Sequence, residues 1–392
     1  MKRFRTVFFW CHLTAGVVAG LVIFLMSVTG ALLAFERQIL DLLERDVQQV
    51  PLPGNGTERV SMSRMLTAAA QYKPGVQLTG ITIEADREAS AAVSFGRAGT
   101  VYVNPYSGAV LGEGAVTARA VFQTLTSWHR WLGSEGSFRQ TARAMTGAAN
   151  LAFLGLALSG LYLWWPRRWT GNHLRAVTMF DRQARGKVRD FNWHNVIGFW
   201  CAPVLIVLTA TAVVMSYPWA NALLYRMTAS TPPPAAAPPG QAGGGAGGRA
   251  GGPAPSGDEQ RQQDASARSR AVEVPDNLDM LLVRAEQILP TWSSITLRLA
   301  GRPGGAVSFT LTDGAHWNAF ARSQLTLDAA TGDTIRWEPY THTSLGQKAR
   351  GWVRFGHTGE LGGWPGQLVA GVACMGGSVL VGPASHWHCA DS

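Results

Sequence analysis

A chain of 392 residues with 46% hydrophobic and 15% charged residues, at a mean hydropathy of +0.04, is too apolar on average for a soluble enzyme. Part of it is expected in a bilayer. The formal net charge of +9 would suit a nucleic-acid binder, but the basic residues flank apolar runs, which is the pattern of cytoplasmic span ends and not of a phosphate-binding face.

Residues 1–35 comprise a basic N-terminus (Lys2, Arg3, Arg5) and a first apolar run from His12 to Phe35. Its 24 residues make about 36 Å of helix, enough for a hydrocarbon core of about 30 Å. A signal peptide would have an apolar region of about 7–15 residues and a small-residue cleavage site. This run is longer and continues into AFERQILDLLERD, so it reads as a permanent span with its N-terminus in the cytoplasm.

Residues 36–118 follow a soluble pattern, with a helix-like SMSRMLTAAAQY, β runs VQLTGITIE, SAAVSF and TVYVN, and a PYSG turn into AVLGE. Residues 36–128 carry eight Lys/Arg against nine Asp/Glu, the balance expected on the translocated side. In residues 119–165, RAVFQTLTSWHRWL puts Phe122, Leu125, His129 and Leu132 on one helical face. After a break at Gly133–Gly136, a second span from about Thr141 to Trp165 ends in LYLWWPRRW, an aromatic belt followed by arginines.

A basic cytoplasmic loop, residues 166–192, leads to a third span at 193–218, which opens at His194. Residues 229–270 are a Pro/Gly/Ala-rich linker. Residues 271–340 repeat the α+β pattern: NLDMLLVRAEQIL, SSITLRLA, AVSFTL, SQLTLD and an ATGD turn. Residues 341–392 hold an amphipathic helix with His357, a short fourth span from about Trp364 to Pro383, and the tail PASHWHCADS.

The halves align. His12 falls on His194, Gly16 on Gly198 and Thr29 on Thr211 without a gap, while VNPYSGAVL and LDAATGDTI superpose Gly108 on Gly332. The linker supplies the extra length of the second copy. The expected fold is therefore an all-α four-helix transmembrane core built by tandem duplication, with two periplasmic α+β modules.

Each span thus has one histidine. An ionisable group at membrane depth is costly unless paired, solvated or ligating. Span direction places His12 and His194 at the cytoplasmic end, and His129 and His357 at the outer end. Two neutral imidazoles without a carboxylate or thiolate do not complete a zinc set, but they suit the two axial positions of haem iron. The expectation is two bis-histidine haems acting as a transmembrane electron wire. Arg130 and Arg354 are candidates to pair with haem propionates, although interfacial snorkelling explains them nearly as well.

His173, His316, His342, His386 and His388 have no such matching and are assigned to solvent or loops, His342 being near the helix of His357. Met26, Met145, Met215 and Met375 are assigned to core or lipid contact. The four cysteines include no CxxC and no CxxCH, which excludes c-type haem, and Cys11, Cys201 and Cys374 read as small core residues. No GK[ST] and no GxGxxG in a strand–helix context appears, so no nucleotide cofactor site is expected.

WCHLTAG at 10–16, the PYSGAVLGE turn, WHRWLG at 128–133, LSGLYLWWPRRW at 158–169, FNWHNVIGFW at 191–200 and FGHTGELGGWPGQ at 355–367 carry a family resemblance over nearly the whole length. The chain resembles the PepSY-associated transmembrane proteins, also called iron-regulated membrane proteins, which include ferric-siderophore reductases of the bacterial inner membrane. The resemblance implies four core spans, two periplasmic PepSY modules, two haem b groups held by His12, His194, His129 and His357, and reduction of Fe(III)-siderophores in the periplasm. The C-terminal tail departs from the pattern of the second span's ending. The partners expected are the lipid bilayer, a ferric siderophore, and a separate electron donor, either quinol or a cytoplasmic reductase; nucleic acid is not among them. The competing readings are a membrane-anchored PepSY module that binds or restrains a protein, and a transporter with duplicated halves.

Overall fold

A computed structural model describes residues 2–52, 54, 56–165, 170–232, 277–299, 305–316 and 320–381. Most of the Pro/Gly/Ala-rich linker, Arg167 and Arg168, and the tail with His386, His388 and Cys389 lie outside the described residues, as does the side chain of His173. The chain divides into two compact units. One comprises residues 1–42, 117–231 and 344–392; the other comprises residues 43–116 and 232–343.

The first unit is helical. Four segments are long and apolar enough to cross a bilayer: Arg3–Leu43, Phe138–Trp164, Gly186–Ser216 and Glu360–Val381. The chain is a membrane protein. The first segment contains α1 (Lys2–Leu33) and α2 (Glu36–Leu43); α3 (Arg45–Gln48), which follows in the chain, belongs to the other unit. Neither glycine nor proline interrupts RFRTVFFWC, so α1 begins ten residues before His12 instead of at it.

The remaining helices of this unit are α5 (Val116–Trp131), α6 (Phe138–Trp164), α7 (Gly171–Thr178), α8 (Gly186–Ser216), α9 (Pro218–Met227), α11 (Leu345–His357) and α12 (Gly363–Val381). Helices α1 and α8 each pack against both α6 and α12, which closes a four-membered ring. Small residues permit the close approach. A Cβ at Gly371 on α12 would lie 2.8 Å from the Phe35 ring, and one at Gly377 would lie 3.1 Å from Ser27 Oγ. Apolar side chains also point outward: Val18, Leu21, Val372 and Met375 are all more than half exposed. Such a surface is at home in hydrocarbon, where it needs no burial against protein.

Helices α5 and α11 are short and each stops just before a span. After α5 the chain reverses through Leu132 (φ 52°) and Gly133 (φ 70°), and after α11 through Gly359 (φ 77°) and Gly363 (φ 59°). Leu132, expected on the helical face of His129, instead takes the left-handed turn conformation. Phe122 of that face is buried.

The second unit contains α4 (Met62–Tyr72), α10 (Leu278–Ile288) and eight strands: β1 (Gly80–Glu84), β2 (Ala91–Ser94), β3 (Thr100–Val103), β4 (Val110–Glu113), β5 (Trp292–Arg298), β6 (Ala306–Asp313), β7 (Arg322–Asp328) and β8 (Thr334–Glu338). The two α+β stretches do not form separate sheets. They share one, in the order β4-β3-β2-β1-β5-β6-β7-β8, antiparallel throughout.

The seam is β1 against β5, with Ile81 opposite Leu297 and Ile83 opposite Ile295. Gly80 makes it possible, because a Cβ there would fall 2.5 Å from the Leu297 carbonyl oxygen. Period-two alternation sends Ile81, Ile83, Val93, Leu297, Phe309 and Leu325 into one core with Leu66 of α4 and Leu281 of α10. The turns match as well. The Asn104 side chain accepts from Tyr106 N–H and Ser107 N–H, the Asp328 side chain accepts from Ala330 N–H and Thr331 N–H, and Gly108 and Gly332 take φ of 76° and 75°.

Candidate functional site

The helical unit brings the four expected histidines together as two pairs. His12 of α1 faces His194 of α8 with ring centroids 6.4 Å apart, and His129 of α5 faces His357 of α11 at 6.3 Å. A metal–imidazole bond of about 2.0 Å, with the ring nitrogen about 1.1 Å from its centroid, spaces two rings bound on opposite sides of one ion by roughly 6 Å. Both pairs have that separation.

Hydrogen bonding fixes which nitrogen is available. Thr29 Oγ1 donates to the Leu25 carbonyl at 2.7 Å, and so accepts from His129 Nδ1–H at 3.0 Å; the Met26 carbonyl also accepts from this ring. On α8, Thr211 Oγ1 donates to the Val207 carbonyl at 2.7 Å. His357 Nδ1–H donates to the Leu208 carbonyl at 2.9 Å, with Thr211 Oγ1 at 3.3 Å.

The other pair follows the same rule. Ser159 Oγ of α6 donates to the Leu156 carbonyl and accepts from His12 Nδ1–H at 2.9 Å. His194 has the Leu380 carbonyl of α12 beside its ring. With Nδ1 of His12, His129 and His357 committed to donation, the other nitrogen of each keeps a lone pair for a metal.

Sequence reasoning missed these supporting groups. Thr29 and Thr211 were visible as matched positions in the alignment of the two halves, with no role attached. Ser159 and the carbonyls of Met26, Leu208 and Leu380 left no such signal, because a carbonyl's availability depends on which helix packs where.

Thr29 lies seventeen residues beyond His12, and Thr211 seventeen beyond His194. The pairs are therefore about 25 Å apart along the helices. Beside the His129/His357 pair is a small, partly open cavity of about 50 Å³ whose walls include Met26, Asn150, Phe153 and Cys374. Met26, assigned to core filler, thus lines the site. At the other layer glycines leave room: a Cβ at Gly160 would come within 3.4 Å of His12 Cε1, and one at Gly16 would meet only Leu156, at 4.0 Å.

Among the described residues no group of three or more His, Cys, Asp or Glu side chains converges as a metal site. A two-imidazole set leaves a bare ion under-coordinated, but it suits a group that brings its own equatorial ligands. Arg130 and Arg354 are exposed and lie beside the outer histidines in sequence. His342 ends a short 3-10 turn, is exposed, and belongs to the sheet-containing unit. His316 lies 3.6 Å from Asp313, also in that unit. Neither joins a pair. Cys201 and Cys374 are partly buried, whereas Cys11 faces outward and is not a core residue.

A family model described as the PepSY-associated TM region matches residues 9–384. The chain belongs to that family. The match runs through all four histidine-bearing segments and the sheet-containing unit, so the PepSY family assignment applies to the membrane core and the strands alike. Comparison with curated proteins finds no match.

Proposed function

We propose that this PepSY-family membrane protein is a di-haem b reductase of the bacterial inner membrane that passes electrons to Fe(III)-siderophores in the periplasm. The observation that carries the reading is the geometry of the two histidine pairs: ring centroids 6.4 and 6.3 Å apart, with the rings of His12, His129 and His357 held by donation from Nδ1. His12 and His194 would hold one haem, and His129 and His357 the other. Haem with both axial positions filled supplies one-electron transfer and has no open position for oxygen.

The chain's own residues do the positioning. Ser159 and the Leu380 carbonyl orient the first pair; Thr29, Met26, Thr211 and Leu208 orient the second. Phe153, Leu205 and Leu208 line the outer cavity and keep water from the ligating nitrogens. Arg130 and Arg354 would pair with propionates at the outer layer.

In topology, the N-terminus would be cytoplasmic, the basic loop 166–192 cytoplasmic, and the sheet-containing unit periplasmic, in keeping with the distribution of Lys and Arg. Tandem duplication has support from the matched Asn104/Asp328 turns and the matched Thr29/Thr211 acceptors. Each electron delivered converts Fe(III) in the chelate to Fe(II), which siderophores hold far more weakly. The donor would be quinol or a cytoplasmic reductase.

The test is a pyridine haemochrome assay on detergent-purified protein. About two haems per chain is the expected result. A haem-free protein that is folded by circular dichroism would overturn the proposal. If haem is present but ferric siderophores fail to reoxidise the dithionite-reduced protein, the electron wire stands and the substrate does not.

A further inference from the structure

The helical unit has a second concentration of chemistry at its His129/His357 end, made of positive charge. Arg130 follows His129 in the last turn of α5. Arg139 and Arg143 lie one turn apart in the opening turns of α6, and Arg354 is in the last turn of α11, three residues before His357. All four side chains are exposed. The guanidinium carbons of Arg130 and Arg139 lie 4.6 and 3.6 Å from the centroid of the Trp131 ring, so a single indole carries two cations.

The carboxylates closest to them in sequence, Glu135 and Glu360, make no ion pair with these arginines. Among the described residues none of the four arginines forms an ion pair with a carboxylate. The first turn of α6 contains no acidic residue, and the Ser137 side chain makes no capping bond there, so the positive end of the helix adds to the same field.

Four like charges kept together without an ion pair cost free energy that an anionic ligand would recover. Two propionates would bring two negative charges against four positive ones, and those next to the histidines, Arg130 and Arg354, would already match them. Arg139 and Arg143 are in excess of that need.

We propose that Arg139 and Arg143, backed by Arg130 and Arg354, form a docking site for a multiply anionic metal chelate, so that the ferric substrate is a catecholate or carboxylate complex and not a neutral hydroxamate one. Guanidinium forks match carboxylate and catecholate oxygens in pairs, and an exposed cationic patch raises the local concentration of an anion while leaving a neutral complex unaffected. The substrate identity rests on the reductase reading; the anion site does not.

The experiment uses full-length protein in a neutral detergent and titrates it calorimetrically with redox-inert gallium(III) chelates. One is the trianionic tris-catecholate and the other the neutral trihydroxamate. At low ionic strength the tris-catecholate is expected to bind roughly tenfold more tightly, with the preference lost in high salt and in the Arg139→Gln/Arg143→Gln double variant. Arg139→Lys/Arg143→Lys should restore much of it, which separates a charge role from a structural one.

Equal affinities for the two chelates, or a preference untouched by the double substitution, overturns the site. So does an anionic phospholipid that co-purifies on these arginines and that the chelate cannot displace. A haem-free preparation that still prefers the anion removes the reductase reading and leaves the docking site. A haem-loaded one without the preference does the reverse.

Discussion

The two histidine pairs share a ring separation and differ in what supports them. His12 and His194 sit within long helices of the four-membered ring, and the groups beside their rings, Ser159 and the Leu380 carbonyl, belong to the two other helices of that ring. His129 and His357 sit in the last turns of the short helices α5 and α11 and are anchored by groups one turn apart on α1 and α8. The first pair is therefore a consequence of bundle packing. The second exists only while two short helices stay docked, so its geometry depends on a few hydrogen bonds.

Removing a ligand gives the largest test of that difference. His12→Ala and His357→Ala should each halve the haem content by haemochrome assay. Added imidazole should refill the space in His12→Ala, because the surrounding helices stay in place. It should fail in His357→Ala, where the lost ring also tied α11 to the Leu208 carbonyl and Thr211. Equal rescue of the two variants would show that the outer pair is as well supported as the inner one.

Removing a supporting hydroxyl should have a smaller effect, of opposite rank in the two layers. In Ser159→Ala, His12 loses its 2.9 Å acceptor. In Thr211→Val, His357 keeps the Leu208 carbonyl at 2.9 Å and loses only a 3.3 Å contact. Outer groups that orient metal-bound histidines are worth about 10–100-fold in affinity. Haem retention during dilution should therefore fall roughly tenfold or more in Ser159→Ala and only slightly in Thr211→Val. A larger loss in the threonine variant would mean that the weak contact governs the outer layer.

Much of this arrangement was legible in the sequence because it rests on period and repetition. Four apolar runs, a matched histidine before or within each, and a β pattern on either side of a Pro/Gly/Ala-rich stretch needed no tertiary knowledge. The single sheet was not legible: β1 and β5 join through backbone groups, and only Gly80, read as an ordinary strand residue, marks the close approach. Helix starts were misplaced for a physical reason too. The span was expected to start at His12, but VFFWC before it is apolar too, and helical hydrogen bonding runs unbroken from Lys2. The arginines near His129 read nearly as well as snorkelling side chains, since a sequence does not show which charges form no ion pair.

The smallest expected effect concerns how tightly each ring is confined. A Cβ at Gly30 would stand 3.2 Å from His129 Cε1, with Cys374 Sγ at 3.5 Å; a Cβ at Gly160 would stand 3.4 Å from His12 Cε1 and meet nothing else within 4 Å. Carbon–carbon contacts are comfortable at about 3.5–4.0 Å. Gly30→Ala must therefore displace the His129 ring by a few tenths of an ångström with Cys374 limiting its retreat, whereas Gly160→Ala needs almost no adjustment. Alanine also favours the helix over glycine by about 0.5–1 kcal/mol at both positions. Thermal stability should thus change little in either variant, while the low-temperature electron paramagnetic resonance signal of the outer haem should shift in Gly30→Ala and that of the inner haem should stay put in Gly160→Ala. A shift in the inner signal alone would reverse the comparison, making the bundle-held pair the more tightly confined of the two.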